Sequence, residues 1–94
     1  MALTVISKNR VVEINGGTGF ITKDTWAVAR MRWVSKTASA NDTCVVSAGD
    51  GNVVWESNAT GADWSEETDF SKEPPIAGIS VTTLTSGNLY IYLR

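Results

Sequence analysis

The clearest pattern along this chain is the alternation of apolar and polar positions. It is strongest in Thr43–Ser57 (TCVVSAGDGNVVWES) and in Ser80–Leu93 (SVTTLTSGNLYIYL), where alternating runs flank a Gly-Asn turn. Successive side chains of a β-strand point to opposite faces of the sheet, so short alternating runs predict half-buried strands. Glycine and asparagine tolerate the positive φ that tight hairpin turns require. Each of the two segments therefore predicts a β-hairpin.

A third alternating run is Trp26–Ser35 (WAVARMRWVS). The pattern places Ala27, Ala29, Met31 and Trp33 on one side and Val28, Arg30, Arg32 and Val34 on the other. Alanine, arginine and methionine also favour a helix. A strand is the better interpretation, because Trp, Val and arginines spaced by two residues suit a half-exposed sheet. We expect Trp33 in the core and both arginines outside.

The whole chain, residues 1–94, predicts one all-β domain. Turn signals recur about every eight to twelve residues, and they divide the chain into about six to eight short strands. The expected fold is a single compact antiparallel β-sandwich or small barrel. Residues 1–25 either supply strands to that sandwich or form a partly independent N-terminal arm, for which the glycine-rich Asn15–Gly19 would be the hinge.

Charge and composition exclude several classes of partner. Eight Lys and Arg stand against ten Asp and Glu, for a net charge of −2. A nucleic-acid surface needs a clear excess of basic residues, so we expect no nucleic-acid partner. The N-terminus lacks the pattern of a signal peptide, and the longest apolar runs are only a few residues, so we expect no membrane span and synthesis in a cytosol. The single Cys44 is expected to be a buried small hydrophobe.

Residues that carry chemistry are scarce. The chain has no histidine, which removes the commonest general base and zinc ligand, and one cysteine cannot build a thiolate site. Glu66 and Glu67 are adjacent, so on a strand they would point to opposite faces and could not act as a pair. The acidic segment Asp63–Glu73 is interpreted as a solvated surface loop rather than a calcium site. We predict no catalytic, cofactor-binding or metal-binding residues, and no enzymatic activity.

The surface offers better candidates. In the last strand Leu89, Ile91 and Leu93 share one face, which leaves Tyr90, Tyr92 and Arg94 on the other. Tyrosine and arginine are enriched in the energetically important parts of protein interfaces. Of the four tryptophans, Trp64 is expected to be the most exposed, since it stands beside the acidic segment. The predicted interface residues are Tyr90, Tyr92, Arg94, Arg30, Arg32 and Trp64; a second layer covered by the chain itself is the alternative for the tyrosines.

The run from Met31 to Ser57, followed by Ala59–Asp63 (ATGAD) and the terminal TLTSGNLYIYLR, resembles small all-β virion structural proteins of tailed bacteriophages. The resemblance covers roughly residues 26–94. It implies a capsid cement or decoration protein that binds the major capsid protein on the capsid exterior, after synthesis in the bacterial host cytoplasm. It further implies a homo-oligomer, most often a trimer. The resemblance brings no catalytic motif and no cofactor.

Two other structural roles compete with the capsid role. A carbohydrate- or host-binding module of a phage fibre or tail would use exposed tryptophans to stack on sugars, and the tryptophan content of the chain motivates it. A component of the neck or of a capsid vertex would have the same fold and a low copy number.

Overall fold

A computed structural model describes the backbone of residues 4–8, 10–15 and 17–94, and the side chains of residues 10–15 and 17–94. The described residues form nine strands. These are β1 (Thr4–Lys8), β2 (Val11–Asn15), β3 (Gly19–Trp26), β4 (Val28–Ser35), β5 (Thr43–Ala48), β6 (Val53–Asn58), β7 (Trp64–Asp69), β8 (Ile76–Leu84) and β9 (Asn88–Leu93). None of the described residues lies in a helix long and apolar enough to cross a membrane.

The nine strands form two antiparallel sheets that pack into a sandwich. Sheet A has the order β1-β2-β9-β4-β7, and sheet B has the order β3-β8-β5-β6. The predicted all-β sandwich is confirmed. The core lies between the sheets, and its largest fully buried side chains include Trp33, Ile14, Met31, Ile79, Leu89 and Ile91. These residues come from both sheets. Each sheet covers the apolar face of the other, because a single sheet cannot bury its own apolar face.

The strand predicted from Trp26–Ser35 is present as β4 from Val28 on, whereas Trp26 is the last residue of β3. Met31 and Trp33 are buried and Arg30 and Arg32 are exposed, as the alternation predicts. The expected side is wrong for Val28, which is buried. The register of β4 against β9 shifts between Val28 and Arg30, and such a bulge adds one residue and reverses the alternation beyond it.

Only the first predicted hairpin exists. Strands β5 and β6 pair across the Gly49–Gly51 turn, and Cys44, Val46 and Trp55 are buried as expected. The second hairpin is wrong, because β8 pairs with β3 and β5 in sheet B whereas β9 pairs with β2 and β4 in sheet A. The Ser-Gly-Asn turn therefore carries the chain from one sheet to the other. A local turn signal cannot distinguish a hairpin from such a corner, since both need a tight reversal.

The N-terminal strands lie in both sheets. Strand β2 pairs with the central strand β9 of sheet A, and β3 pairs with β8 in sheet B. Val12 and Ile14 of β2 are buried in the common core. The backbone of β1 continues sheet A beyond β2. The described part of residues 1–25 thus contributes β2 to the interior of sheet A, β1 to one edge of sheet A, and most of β3 to one edge of sheet B.

The first part of the acidic segment is strand β7 (Trp64–Asp69), which corrects the prediction of a loop there, and residues 70–73 lie in a loop. Strand β7 pairs with β4 at the edge of sheet A, and Glu66, Glu67 and Asp69 are exposed along it. The segment is solvated as expected. Its negative charge has a structural consequence, because a charged edge strand disfavours pairing with the strands of other chains.

A hydrogen-bond network supports the corner between β8 and β9. The buried Trp33 donates from Nε1 to the Ser86 carbonyl at 2.8 Å. The Ser86 hydroxyl donates to Asp42 Oδ2 at 2.9 Å and lies 2.7 Å from Ser35 Oγ. Because Ser86 has one hydroxyl hydrogen, which Asp42 accepts, Ser35 is the donor in the second contact. Residues from β4, the β4–β5 loop and the corner are thereby held together.

This network predicts a loss of stability in acid. The Ser39 backbone N–H, the Ser86 hydroxyl and Thr85 lower the pKa of Asp42 from its ordinary 3.8. Since the folded pKa is the lower one, the contribution of Asp42 is complete above its ordinary pKa and is lost as pH falls through the folded value. We expect the urea midpoint of the wild type to fall from about pH 7 to pH 3, and Asp42→Asn to reduce that fall. An unchanged pH dependence in Asp42→Asn would contradict the assignment. Ser71 lowers the pKa of Asp69 in the same direction, so some acid sensitivity should remain in the variant.

Candidate interaction surface on sheet A

The outer face of sheet A brings the predicted arginines and tyrosines together. Strands β9 and β4 are neighbours, and their register places Tyr92 opposite Arg30 and Tyr90 opposite Arg32. We call this surface the Arg–Tyr face. It consists of Val11, Glu13, Arg30, Arg32, Glu67, Asp69, Tyr90 and Tyr92, which occupy facing positions of β2, β9, β4 and β7.

The centre of the face is ordered by contacts between its own side chains. The Arg30 guanidinium lies 4.2 Å from the centroid of the Tyr92 ring. The same guanidinium lies 3.9 Å from a Glu67 carboxylate oxygen, with both side chains about half exposed. At that exposure the ion pair contributes at most about 1 kcal/mol, and the cation–π contact contributes a similar amount. Their main effect is to restrict the rotamers of Arg30 and Tyr92 before any partner binds.

Arg94 does not belong to this face, although the sequence predicts it there. Its guanidinium donates to the carbonyl of Ser71 at 3.0 Å and to the carbonyl of Glu73 at 2.8 Å. Its backbone N–H also donates to the Ala27 carbonyl. Arg94 therefore fastens the end of β9 to the β7–β8 loop. The alternation places a residue on a face, but a long side chain at the end of a strand can turn toward unpaired carbonyls nearby.

Trp64 is half-buried rather than exposed, and it also lies away from the Arg–Tyr face. Its Nε1 donates to Ser57 Oγ of β6 at 3.0 Å, and its ring packs against the core. The indole thus closes the open side of the sandwich, where edge strands β7 and β6 lie near each other. All four tryptophans lie in the described part of the chain and none is exposed, since Trp33 and Trp55 are buried and Trp26 is half-buried like Trp64. The fully exposed Trp64 that motivates the carbohydrate hypothesis is therefore not present, although Trp26 and Trp64 keep part of their surface accessible.

The sequence prediction of the interface did not include four members of the face, Val11, Glu13, Glu67 and Asp69, and Glu13 is the one with the clearest signal. It is the one charged residue in β2, and it lies between the buried Val12 and Ile14. The alternation in that strand was a sufficient signal to place it outside. The register sets Glu13 directly opposite Tyr90.

A different surface lies on the outer side of sheet B. Its described residues are mainly serine, threonine and valine, and Phe20 and Val53 on the two edge strands are 54% and 57% exposed. Beside it, an open groove of about 850 Å³ runs between the β5–β6 turn and the β7–β8 loop. Val54, Phe70 and Ile76 contribute apolar lining, and Asp50 and Glu73 contribute carboxylates. The exposure of Phe20 and Val53 was not predicted, because apolar residues in short strands are normally assigned to the core.

The described residues contain little that could act chemically. Burial raises the pKa of the Cys44 thiol to about 12, so the thiol stays protonated and unreactive at neutral pH. No group of three or more acidic or cysteine side chains that could hold a metal ion occurs among the described positions.

Comparison with known proteins does not add to this description. No known protein family matches the chain, and no match is found among curated proteins or solved structures.

Proposed function

We propose that this chain is a non-enzymatic structural protein of a bacteriophage virion, a capsid cement or decoration protein that makes its contacts through the Arg–Tyr face. The observation that carries the proposal is the pairing of Arg30 and Arg32 with Tyr92 and Tyr90 in the middle of a five-stranded sheet. Arginine and tyrosine dominate the binding energy of many protein interfaces. The resemblance of residues 26–94 to virion proteins supplies the biological setting.

The sandwich suits an adhesive role because its contact residues are already ordered. A partner need not immobilise Tyr92 and Arg30, which hold each other in the free protein. Ordering a flexible interface side chain costs about 0.5–1.5 kcal/mol, and that cost is smaller here. A rigid sheet also keeps the distances between the contact residues the same in every copy of the protein.

Binding to an assembled shell would stabilise it by mass action. A ligand that binds the assembled state and not the free subunits shifts the equilibrium toward assembly. Many copies on a symmetric lattice add their effects, so each contact can be weak. In this role the partner is the major capsid protein, the location is the capsid exterior, and the chain would be made in the host cytoplasm.

Quantitative mass spectrometry of purified particles tests the proposal. The chain should be present in a number comparable with that of the major capsid protein. A copy number that fits only a single vertex, the neck or the tail would place it there and contradict the decoration role. Absence from the particles would overturn the proposal altogether.

A variant links the particle to the proposed surface. Tyr90→Ala with Tyr92→Ala should abolish retention on particles while the protein stays folded by circular dichroism. Phe20→Ala, which removes an exposed ring from sheet B, is the matched control and should be retained. Equal retention of both variants would remove the Arg–Tyr face from the proposal.

A further inference from the structure

The charges on the Arg–Tyr face have an arrangement that the proposed function does not use. One row across sheet A reads Glu13, Tyr90, Arg32 and Glu67, on β2, β9, β4 and β7. Glu13 and Arg32 therefore lie on either side of β9, separated by two strand spacings or roughly 10 Å. The described ion pair on this face joins Arg30 and Glu67, so Glu13 and Arg32 are not paired with each other within one chain. Glu13 and Arg32 are thus opposite charges at equal distances on the two sides of β9. A two-fold axis along β9 would place Glu13 of one copy opposite Arg32 of the other.

We propose that the Arg–Tyr face binds a second copy of this chain, face to face, with a two-fold axis parallel to β9. The rotation leaves every residue at the same position along the direction of β9 and exchanges the strands on either side of it. Strand β2 of one copy therefore lies over β4 of the other. Glu13 then meets the second copy's Arg32, and Arg32 meets the second copy's Glu13. Tyr90 and Tyr92 lie near the axis and meet their own equivalents.

Charge complementarity selects this occupant over others. The face carries two arginines and three carboxylates, those of Glu13, Glu67 and Asp69. An anionic surface such as nucleic acid would be repelled by the carboxylates, and a basic surface would be repelled by the arginines. A second copy places a carboxylate opposite Arg32 and a guanidinium opposite Glu13, while Arg30 keeps its contacts with Tyr92 and Glu67 of its own chain. Since the same patch serves both partners, the contact is isologous and closes as a dimer, whereas a trimer needs two different patches.

The size of the face sets the expected strength. The outer face of sheet A as a whole, with five strands at ~4.8 Å spacing and about five residues at ~3.3 Å, measures roughly 24 Å by 17 Å. Full coverage would bury roughly 800 Å² over both copies, which corresponds to a weak and reversible interface. We therefore expect a monomer–dimer equilibrium at high protein concentration, weakened by salt because part of the attraction is between exposed charges.

The experiment is sedimentation equilibrium of the purified full chain and of charge-reversal variants at low salt, up to about millimolar protein. The wild type should approach twice its chain mass of 10.1 kDa. Arg32→Glu sets two pairs of carboxylates against each other in the dimer, and Glu13→Arg sets two pairs of cations against each other. Each single variant should raise the dimer Kd by about a hundredfold or more.

A mixture of the two single variants is the decisive test of the contact between Glu13 and the second copy's Arg32. In the mixed dimer the Arg32→Glu chain presents a carboxylate at both positions, and the Glu13→Arg chain presents a guanidinium at both. Every facing pair then has opposite charges, so a heterodimer should form although neither variant dimerises alone. The double variant Glu13→Arg with Arg32→Glu should recover the homodimer. Glu56→Arg, an exposed reversal on sheet B, is the control and should leave the equilibrium unchanged.

Several outcomes would overturn the dimer. These are a wild type that stays monomeric at millimolar concentration, a trimeric mass, unchanged association in both single variants, and no complex in their mixture. The inference rests on the proposed function only in taking the Arg–Tyr face as the working surface, and because the dimer covers that face, a second copy and the major capsid protein would compete for it. Sedimentation uses the isolated chain, whereas the virion role is tested by particle content, so failure of one can be distinguished from failure of the other.

Discussion

Gly87→Ala should destabilise the fold by about 2–5 kcal/mol, which is a large part of the stability of a typical domain. Gly87 has φ of 73°, where a side chain costs about 1–2 kcal/mol. A Cβ there would also stand 2.3 Å from the Val34 carbonyl oxygen and 2.5 Å from Ser35 Cβ. Relieving that overlap moves the corner or β4, and overpacking of this kind costs about 1–3 kcal/mol more. The measurement is urea unfolding followed by far-ultraviolet circular dichroism.

Gly51→Ala is the matched control for this prediction. Gly51 also has a positive φ, 91°, but a Cβ there would meet nothing within 4 Å. Its substitution should cost only about 1–2 kcal/mol. Both changes restrict the unfolded chain equally, so the difference between the variants measures the steric part. Equal destabilisation would mean that the corner relaxes freely and that its close packing on β4 contributes nothing.

Trp33→Ala should cost about 3–5 kcal/mol, and at the upper end of that range it would leave a marginal domain largely unfolded. Trp33 is completely buried in the middle of sheet A, so truncation loses its contacts and leaves a cavity in the core. The change also removes the donor to the Ser86 carbonyl at the corner. The free energy of unfolding from urea titration is the measurement, with circular dichroism as the probe because the fluorescence changes with the residue.

Two comparisons separate the contributions of Trp33. Trp33→Phe keeps most of the apolar volume and removes the hydrogen bond, so we expect a smaller loss of about 1–3 kcal/mol. Trp64→Ala makes the same substitution at a half-buried ring and should cost less than Trp33→Ala, in proportion to the smaller area removed from water. A Trp33→Ala variant as stable as Trp64→Ala would contradict the central position assigned to Trp33.

Both predictions concern the same region, and that region determines the candidate surface. The corner at Ser86 and Gly87 delivers β9 from sheet B to the middle of sheet A. Strand β9 carries Tyr90 and Tyr92, and its position between β2 and β4 places them beside Glu13 and the two arginines. A variant that loosens the corner should therefore weaken the Arg–Tyr face as well as the fold.

Local patterns predicted the candidate site in part. Alternation was enough to predict that Arg30 and Arg32 point outward from one strand and that Tyr90 and Tyr92 point outward from another. It would have predicted the same for Glu13. Alternation failed for Val28, where a bulge changes the phase, because an extra residue in a ladder has no signature in a single strand. It also failed for Arg94, whose conformation depends on carbonyls that a distant loop brings near it.

The sequence by itself determined the fold class, most of the strands and the face on which most of their side chains lie, because these follow from a period of two and from turn residues that act over a few positions. Only the tertiary structure decided which strands are neighbours. The Gly-Asn turn after Gly49 makes a hairpin, whereas the turn at Gly87 makes a corner, although the two look alike in sequence. The difference arises from partners far along the chain, where Trp33, Ser35 and Asp42 hold the corner and β2 and β4 hold the strand that follows it.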